Sequence, residues 1–100
     1  MNNELFFQVL VLVQQDAQRL INMDKCERDS GYVSPLRDRV VANLYFNLGK
    51  AFGLCPTDWT DERDAILAAH HAVLAGDLDR AIDNLKPITE AALEPNPEVY

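Results

Sequence analysis

The chain of 100 residues, 48% apolar and 25% charged, has the composition of an ordinary globular protein, which excludes a disordered or low-complexity chain. At this length about 65% of the surface exposed by the unfolded chain is buried on folding, enough for one core and a single domain over residues 1–100. The formal charge of −7 argues against direct binding to nucleic-acid phosphates or anionic lipid, and favours a basic partner or plain solvation.

That charge is unevenly spread. Residues 1–50 carry six acids and six bases, whereas residues 51–100 carry ten acids and three bases. The two cysteines, Cys26 and Cys55, belong to no CxxC pattern, so they are expected as reduced, buried thiols rather than a disulfide framework or a zinc module. The apolar stretch LFFQVLVLV follows Glu4, has no basic leader and falls well short of the roughly 20 residues that cross a bilayer. The expectation is a soluble, cytoplasmic protein.

In chain order, Asn2 or Asn3 can cap a first helix over residues 3–28, with Phe6, Leu10, Val13, Ala17, Leu20 and Ile21 at helical spacing. Leu5, Val9 and Leu12 form a second apolar stripe on that helix, a possible homodimer contact. The β-branched run VLVLV also admits a buried strand, against which the unbroken helical phase downstream argues. RDSGYVSP reads as a loop, with Ser34 as N-cap and Pro35 at the first helical position of a second helix over 35–52.

Val41, Leu44, Tyr45, Leu48 and Phe52 share one stripe of that second helix, and Gly53 is expected to stop it. Phe46 falls about 160° from the stripe, which makes it a candidate exposed aromatic. Thr57, Asp58 or Thr60 can cap a third helix over 59–75, with Asp61 and Glu62 suited to its positive end. Trp59, Ile66, His70, Val73 and Leu74 line one side, and Ala65, Ala68, Ala69 and Ala72 form a small-residue side.

The AGD reversal at 75–77 leads into a fourth helix over 77–94, forming an antiparallel hairpin with the third. On its wheel Leu78, Ala81, Ile82, Leu85 and Ala92 gather on one face, and Asp79, Asp83, Glu90 and Glu94 on the other. One face builds core; the other is an acidic ridge. Pro87 removes a backbone hydrogen bond and predicts a kink or restart, at a cost of about 3 kcal/mol in a regular interior. The tail at 95–100 reads as extended. The expected fold is all-α, a compact bundle of four main helices.

No catalytic motif accompanies this plan. His70 and His71 point about 100° apart on a helix, whereas zinc-binding helices use i, i+4 spacing. Neither cysteine, nor Ser30 or Ser34, sits in a nucleophile motif, and no glycine cluster cradles phosphate. Asp77, Asp79 and Asp83 lack the glycine and terminal glutamate of a calcium loop. The expectation is a non-enzymatic protein with no cofactor and no metal. The acidic ridge, together with Trp59 amid Asp58, Asp61, Glu62 and Asp64, with Tyr32 in its glycine loop, and with Phe46, suggests aromatic anchors inside a charged rim. Trp59 reads equally well as a core residue.

GDLDRAIDNL followed by LEPNP resembles the second half of a tetratricopeptide repeat, but covers about one repeat and is explained by a helical hairpin. Across the whole chain, the opening MNNELFFQVLVLVQQDAQRL, the helical plan and the acidic DLDRAIDNL half resemble small phage-encoded anti-CRISPR proteins. That resemblance implies an inhibitor that docks on subunits of a bacterial CRISPR surveillance complex and blocks target DNA binding in the host cytoplasm. It carries over no residue roles. The alternative is a self-associating helical regulatory or adaptor module.

Overall fold

The computed structural model describes residues 4–93, and the side chains of residues 4–90. It is all-α, with α1 over Glu4–Ser30, α2 over Arg37–Leu54, α3 over Thr60–Leu74 and α4 over Leu78–Leu93. Among the described residues there is no strand, so the VLVLV run is helical. Glu94 and the tail at 95–100 lie outside the described residues, as do the Asn2 and Asn3 caps.

Short connections at residues 31–36, 55–59 and 75–77 force each helix to lie antiparallel to the one before it. α1 packs on α2 and α4, α3 packs on α4 and more lightly on α2, and the diagonal pairs do not meet. The result is an up-down-up-down bundle of 50 × 31 × 19 Å, whose long dimension reflects α1, about 40 Å from end to end.

Phe6, Leu10, Val13, Ala17 and Leu20 of α1 bury as their spacing predicts, against Val40, Leu44, Leu48 and Ala51 of α2, Ile66 and Ala69 of α3, and Ala81 and Leu85 of α4. Because α1 has a neighbour on each flank, its buried arc is wide. Val9 and Asp16 are therefore buried too, and the amide of Asn47 in α2 donates to the Asp16 carboxylate at 3.2 Å. On the other flank Gln14 Nε2 donates to Thr89 Oγ1 at 2.8 Å and joins α1 to α4.

The helix ends explain the boundaries. α1 stops at Gly31, whose φ of +75° requires glycine and whose N–H donates to the Glu27 carbonyl at 2.7 Å. Ser34 caps a turn rather than a helix, because its hydroxyl accepts the Leu36 N–H at 3.2 Å and α2 begins two residues beyond Pro35. Gly53 does not terminate α2; the helix runs to Leu54 and ends at Cys55, extended at φ −69°, ψ 126° ahead of Pro56. None of Thr57, Asp58 and Thr60 caps α3. Trp59 occupies the N-cap position with no side-chain cap hydrogen bond.

At the other end of α3 the Asp77 N–H donates to the Ala72 carbonyl at 2.8 Å and the Gly76 N–H to the Val73 carbonyl at 3.0 Å, with Gly76 at φ +79°. That pair of bonds is a Schellman stop. Asp77 then caps α4 by accepting the Arg80 N–H at 3.1 Å. Pro87 lies inside α4, which continues to Leu93 rather than restarting.

Candidate functional site

The four helices divide the charge between two layers. The α1–α2 half, residues 4–54, holds six acids and six bases. The α3–α4 half keeps Asp58, Asp61, Glu62, Asp64, Asp77, Asp79, Asp83 and Glu90 against Arg63, Arg80 and Lys86. Two of those bases are engaged locally. The Arg63 guanidinium lies 4.2 Å over the Phe52 ring and donates to the Cys55 carbonyl at 3.2 Å, while Lys86 Nζ stands 3.9 Å from Glu90. The outer side of the α3–α4 hairpin is therefore an anionic face.

Asp79, Asp83 and Glu90 are exposed on α4, and Asp61 is exposed in the first turn of α3. Among the described residues neither Asp79 nor Asp83 takes part in an ion pair. Glu94 cannot be placed, since it falls outside the described residues.

The aromatics separate. Phe46 is 70% exposed and Tyr32 60% exposed. Phe46 stands on the outer side of α2, which is diagonal to α4, so it does not share a surface with the α4 ridge. Trp59 is not a free anchor: it is partly buried against the core, its ring centroid 5.9 Å from that of Phe6 and 6.2 Å from that of Phe7. The expected second stripe on α1 is likewise broken, with Leu5 49% and Leu12 46% exposed but Val9 only 2%. On α3, Leu74 is exposed rather than part of the core.

The titratable candidates are dispersed. The His70 ring meets the Tyr45 ring edge-on at 5.8 Å, and the His71 ring lies 6.2 Å from His70 at 76°. Among the described residues no three His, Cys, Asp or Glu side chains form a group that could hold a metal ion. Cys26 is exposed, contrary to the expectation of two buried thiols, because the end of α1 runs past the bundle. Cys55 is buried; that burial pushes its thiol up from the ordinary value, with Glu62 and Asp58 acting in the same direction and Arg63 opposing. A raised thiol is a poor nucleophile at neutral pH.

Sequence reasoning missed a groove of about 250 Å³ between α2 and α3, lined by Tyr45, Leu48, Gly49, Phe52, Ile66, Leu67 and His70. Gly49 was its one legible signal, a poor helix former in the middle of an amphipathic helix. Two wider grooves are more polar in character: one of about 430 Å³ between α1 and α4 beside Gln14, Gln18 and Lys86, and one of about 320 Å³ between α3 and α4 beside His71, Asp77 and Arg80. No described helix is long and apolar enough to cross a membrane. The chain matches no protein-family model, no curated protein and no solved structure, so its surface carries the functional argument.

Proposed function

We propose that this protein is a non-enzymatic, protein-binding inhibitor of the anti-CRISPR type, working in the host-cell cytoplasm. Its anionic α3–α4 face docks on a basic surface of a nucleic-acid-binding complex, namely the subunits of a CRISPR surveillance complex that otherwise hold target DNA. The observation that carries this reading is the segregation of charge: the α1–α2 half is balanced, while Asp79 and Asp83 stand exposed and outside any ion pair among the described residues. Acids so placed steer a basic partner and raise the association rate more than the final affinity.

The test is capture of partners from bacterial lysate at low and at about 0.5 M salt, where exposed charges are heavily screened. The triple substitution Asp79→Lys, Asp83→Lys, Glu90→Lys is expected to weaken capture and flatten its salt dependence while leaving helicity intact, since all three side chains are exposed. Capture that is the same for the triple variant and the wild type removes the ridge from the mechanism.

A second reading, the self-associating regulatory module, is favoured by Leu5 and Leu12, two exposed leucines seven residues apart on α1. Sedimentation as a monomer at micromolar concentration counts against it.

A further inference from the structure

Beyond the docking of a foreign partner, we infer that a second copy of this chain also occupies the α4 ridge, through a head-to-tail contact between α4 of one copy and the outer face of α2 of the next. Arg39, Asn43, Phe46 and Lys50 are all exposed, Phe46 at 70%, and intervals of four, three and four residues set them in one row along about 16 Å of α2. The row lies opposite the buried Leu44 and Leu48, so it points away from the bundle.

Its ends are cationic and no acid interrupts it. Of the acids on α1 and α2, Asp16 is buried and accepts from Asn47, and Asp24 is paired with Arg37 at 3.1 Å. Asp38 projects about 100° round α2 from Arg39, on the side of Tyr45, whose ring meets His70 of α3. In the antiparallel register fixed by Asn47 and Asp16, Glu4, Glu27 and Asp29 fall beyond the ends of the row. Arg19 of α1, exposed and level with Asn43, adds to its positive charge.

Asp79, Asp83, Lys86 and Glu90 of α4 follow the same intervals and are all exposed. With the helices parallel the rows match position by position, Arg39 with Asp79, Asn43 with Asp83, Phe46 with Lys86 and Lys50 with Glu90. That gives two opposite-charge pairs, an amide donating to a carboxylate and an ammonium over an aromatic ring. The antiparallel alternative sets Phe46 against Asp83 and Asn43 against Lys86, which deprives the ring of its cation. The other base on α4, Arg80, projects about 100° away from Asp79.

The bundle presents the rows in the required orientation. α2 and α4 lie on a diagonal and both run antiparallel to α1, so they are parallel to each other. The hydrogen bonds Asn47 to Asp16 and Gln14 to Thr89 set both rows level with residues 13–24 of α1, so two copies pair without sliding along the axis. Spacing, height and direction thus agree on two faces of opposite sign. A contact of one helix face on each side belongs to the small, transient class, with Kd towards the millimolar end, so the chain is monomeric at micromolar concentration. Because Asp79, Asp83 and Glu90 serve it, a basic partner on the ridge displaces the neighbouring copy.

Amide NMR spectra of the purified chain are compared at about 50 µM and about 1 mM, which bracket such a Kd. Ionic strength is held at about 0.15 M, where repulsion between copies of charge −7 is screened beyond about 8 Å. Wild-type resonances are expected to shift with concentration at both rows. Arg39→Gln with Lys50→Gln keeps only the acidic row, and Asp79→Asn and Asp83→Asn with Glu90→Gln keeps only the basic one; all of these side chains are exposed. Each variant alone should show no concentration dependence. The labelled first variant mixed with the unlabelled second should shift at α4 only, and the reverse labelling should shift α2 only. Adding Phe46→Ala to the second variant should weaken the mixed contact by about tenfold.

The inference is overturned if wild-type spectra are the same at both concentrations, if either variant alone associates as the wild type does, or if the mixture produces no shifts. Shifts at Leu5 and Leu12 of α1 in place of the two rows mark an isologous dimer and overturn it as well, and a Phe46→Ala mixture as tight as its parent overturns the register. None of these results bears on capture of a basic partner from lysate, so failure here leaves the proposed docking face standing.

Discussion

Replacing Val9 and Leu12 separately with alanine tests the rotational setting of α1, on which the choice between a monomeric binder and a homodimer turns. Val9 is 2% exposed and belongs to the core cluster; Leu12 is 46% exposed. Val9→Ala removes two buried methyl groups, worth about 0.8 kcal/mol each in transfer free energy. The cavity left behind adds to that, because neighbouring side chains relax only in part, giving about 2–3 kcal/mol in all. For a domain of this size that corresponds to a fall in Tm of about 10–20 °C. Leu12→Ala should stay within about 0.5 kcal/mol of the wild type, as surface substitutions do.

Thermal and urea unfolding followed by far-UV circular dichroism measures both variants. The reasoning is refuted if Val9→Ala costs no more than Leu12→Ala, which would mean that α1 presents a different face to its neighbours. Repeating the melts over a range of protein concentration adds a second readout. A dimer sealed by Leu5 and Leu12 would make Tm rise with concentration and would make Leu12→Ala costly, whereas a monomer does neither.

Three further outcomes follow from the packing. Trp59→Ala should cost about 3 kcal/mol and abolish most of the near-UV dichroism, since the ring packs on Phe6 and Phe7; an unchanged melting curve would return Trp59 to the surface. Gly49→Ala should raise stability by up to about 1 kcal/mol, because the helix gains a better former and its Cβ meets nothing, while Gly76→Ala at φ +79° should lower it by about 1 kcal/mol; equal effects in calorimetry would contradict both assignments. Cys26 should react with a thiol reagent in the native protein while Cys55 reacts only on unfolding. With its folded pKa raised above the ordinary 9.0, Cys55 binds its proton more tightly when folded, so its contribution to stability is complete below pH 9 and is lost as pH rises through the folded value. A Cys55→Ala variant whose stability falls as steeply in alkali as that of the wild type would refute that assignment.

The existence and order of the helices were legible because each carries its own period. Phe6, Leu10, Val13, Ala17 and Leu20 repeat at helical spacing and bury together, and the AGD reversal stops one helix and caps the next through contacts made within a few residues. The acidic ridge was legible for the same reason: Asp79, Asp83 and Glu90 stand opposite Leu78, Ala81 and Leu85 whatever α4 packs against, and all three are exposed. Local periodicity needs no knowledge of neighbours.

What each flank of a helix faces is another matter, because it depends on partners distant in sequence. Val9 and Asp16 are buried only because α2 closes on that side of α1, and Leu74 is exposed because α3 leans on α4 in preference to α2. Trp59 meets Phe6 and Phe7 across more than fifty residues of chain, so the acids around it in sequence did not reveal where its ring would go. The separation of Phe46 from the α4 ridge and the open slot over Gly49 arise likewise from which helices become neighbours and how tightly they pack. The sequence by itself determined four amphipathic helices, the AGD reversal between the last two and an acidic second half; only the tertiary structure decided which flanks are covered and which surfaces coincide, because burial is a property of helix pairs and not of one helix.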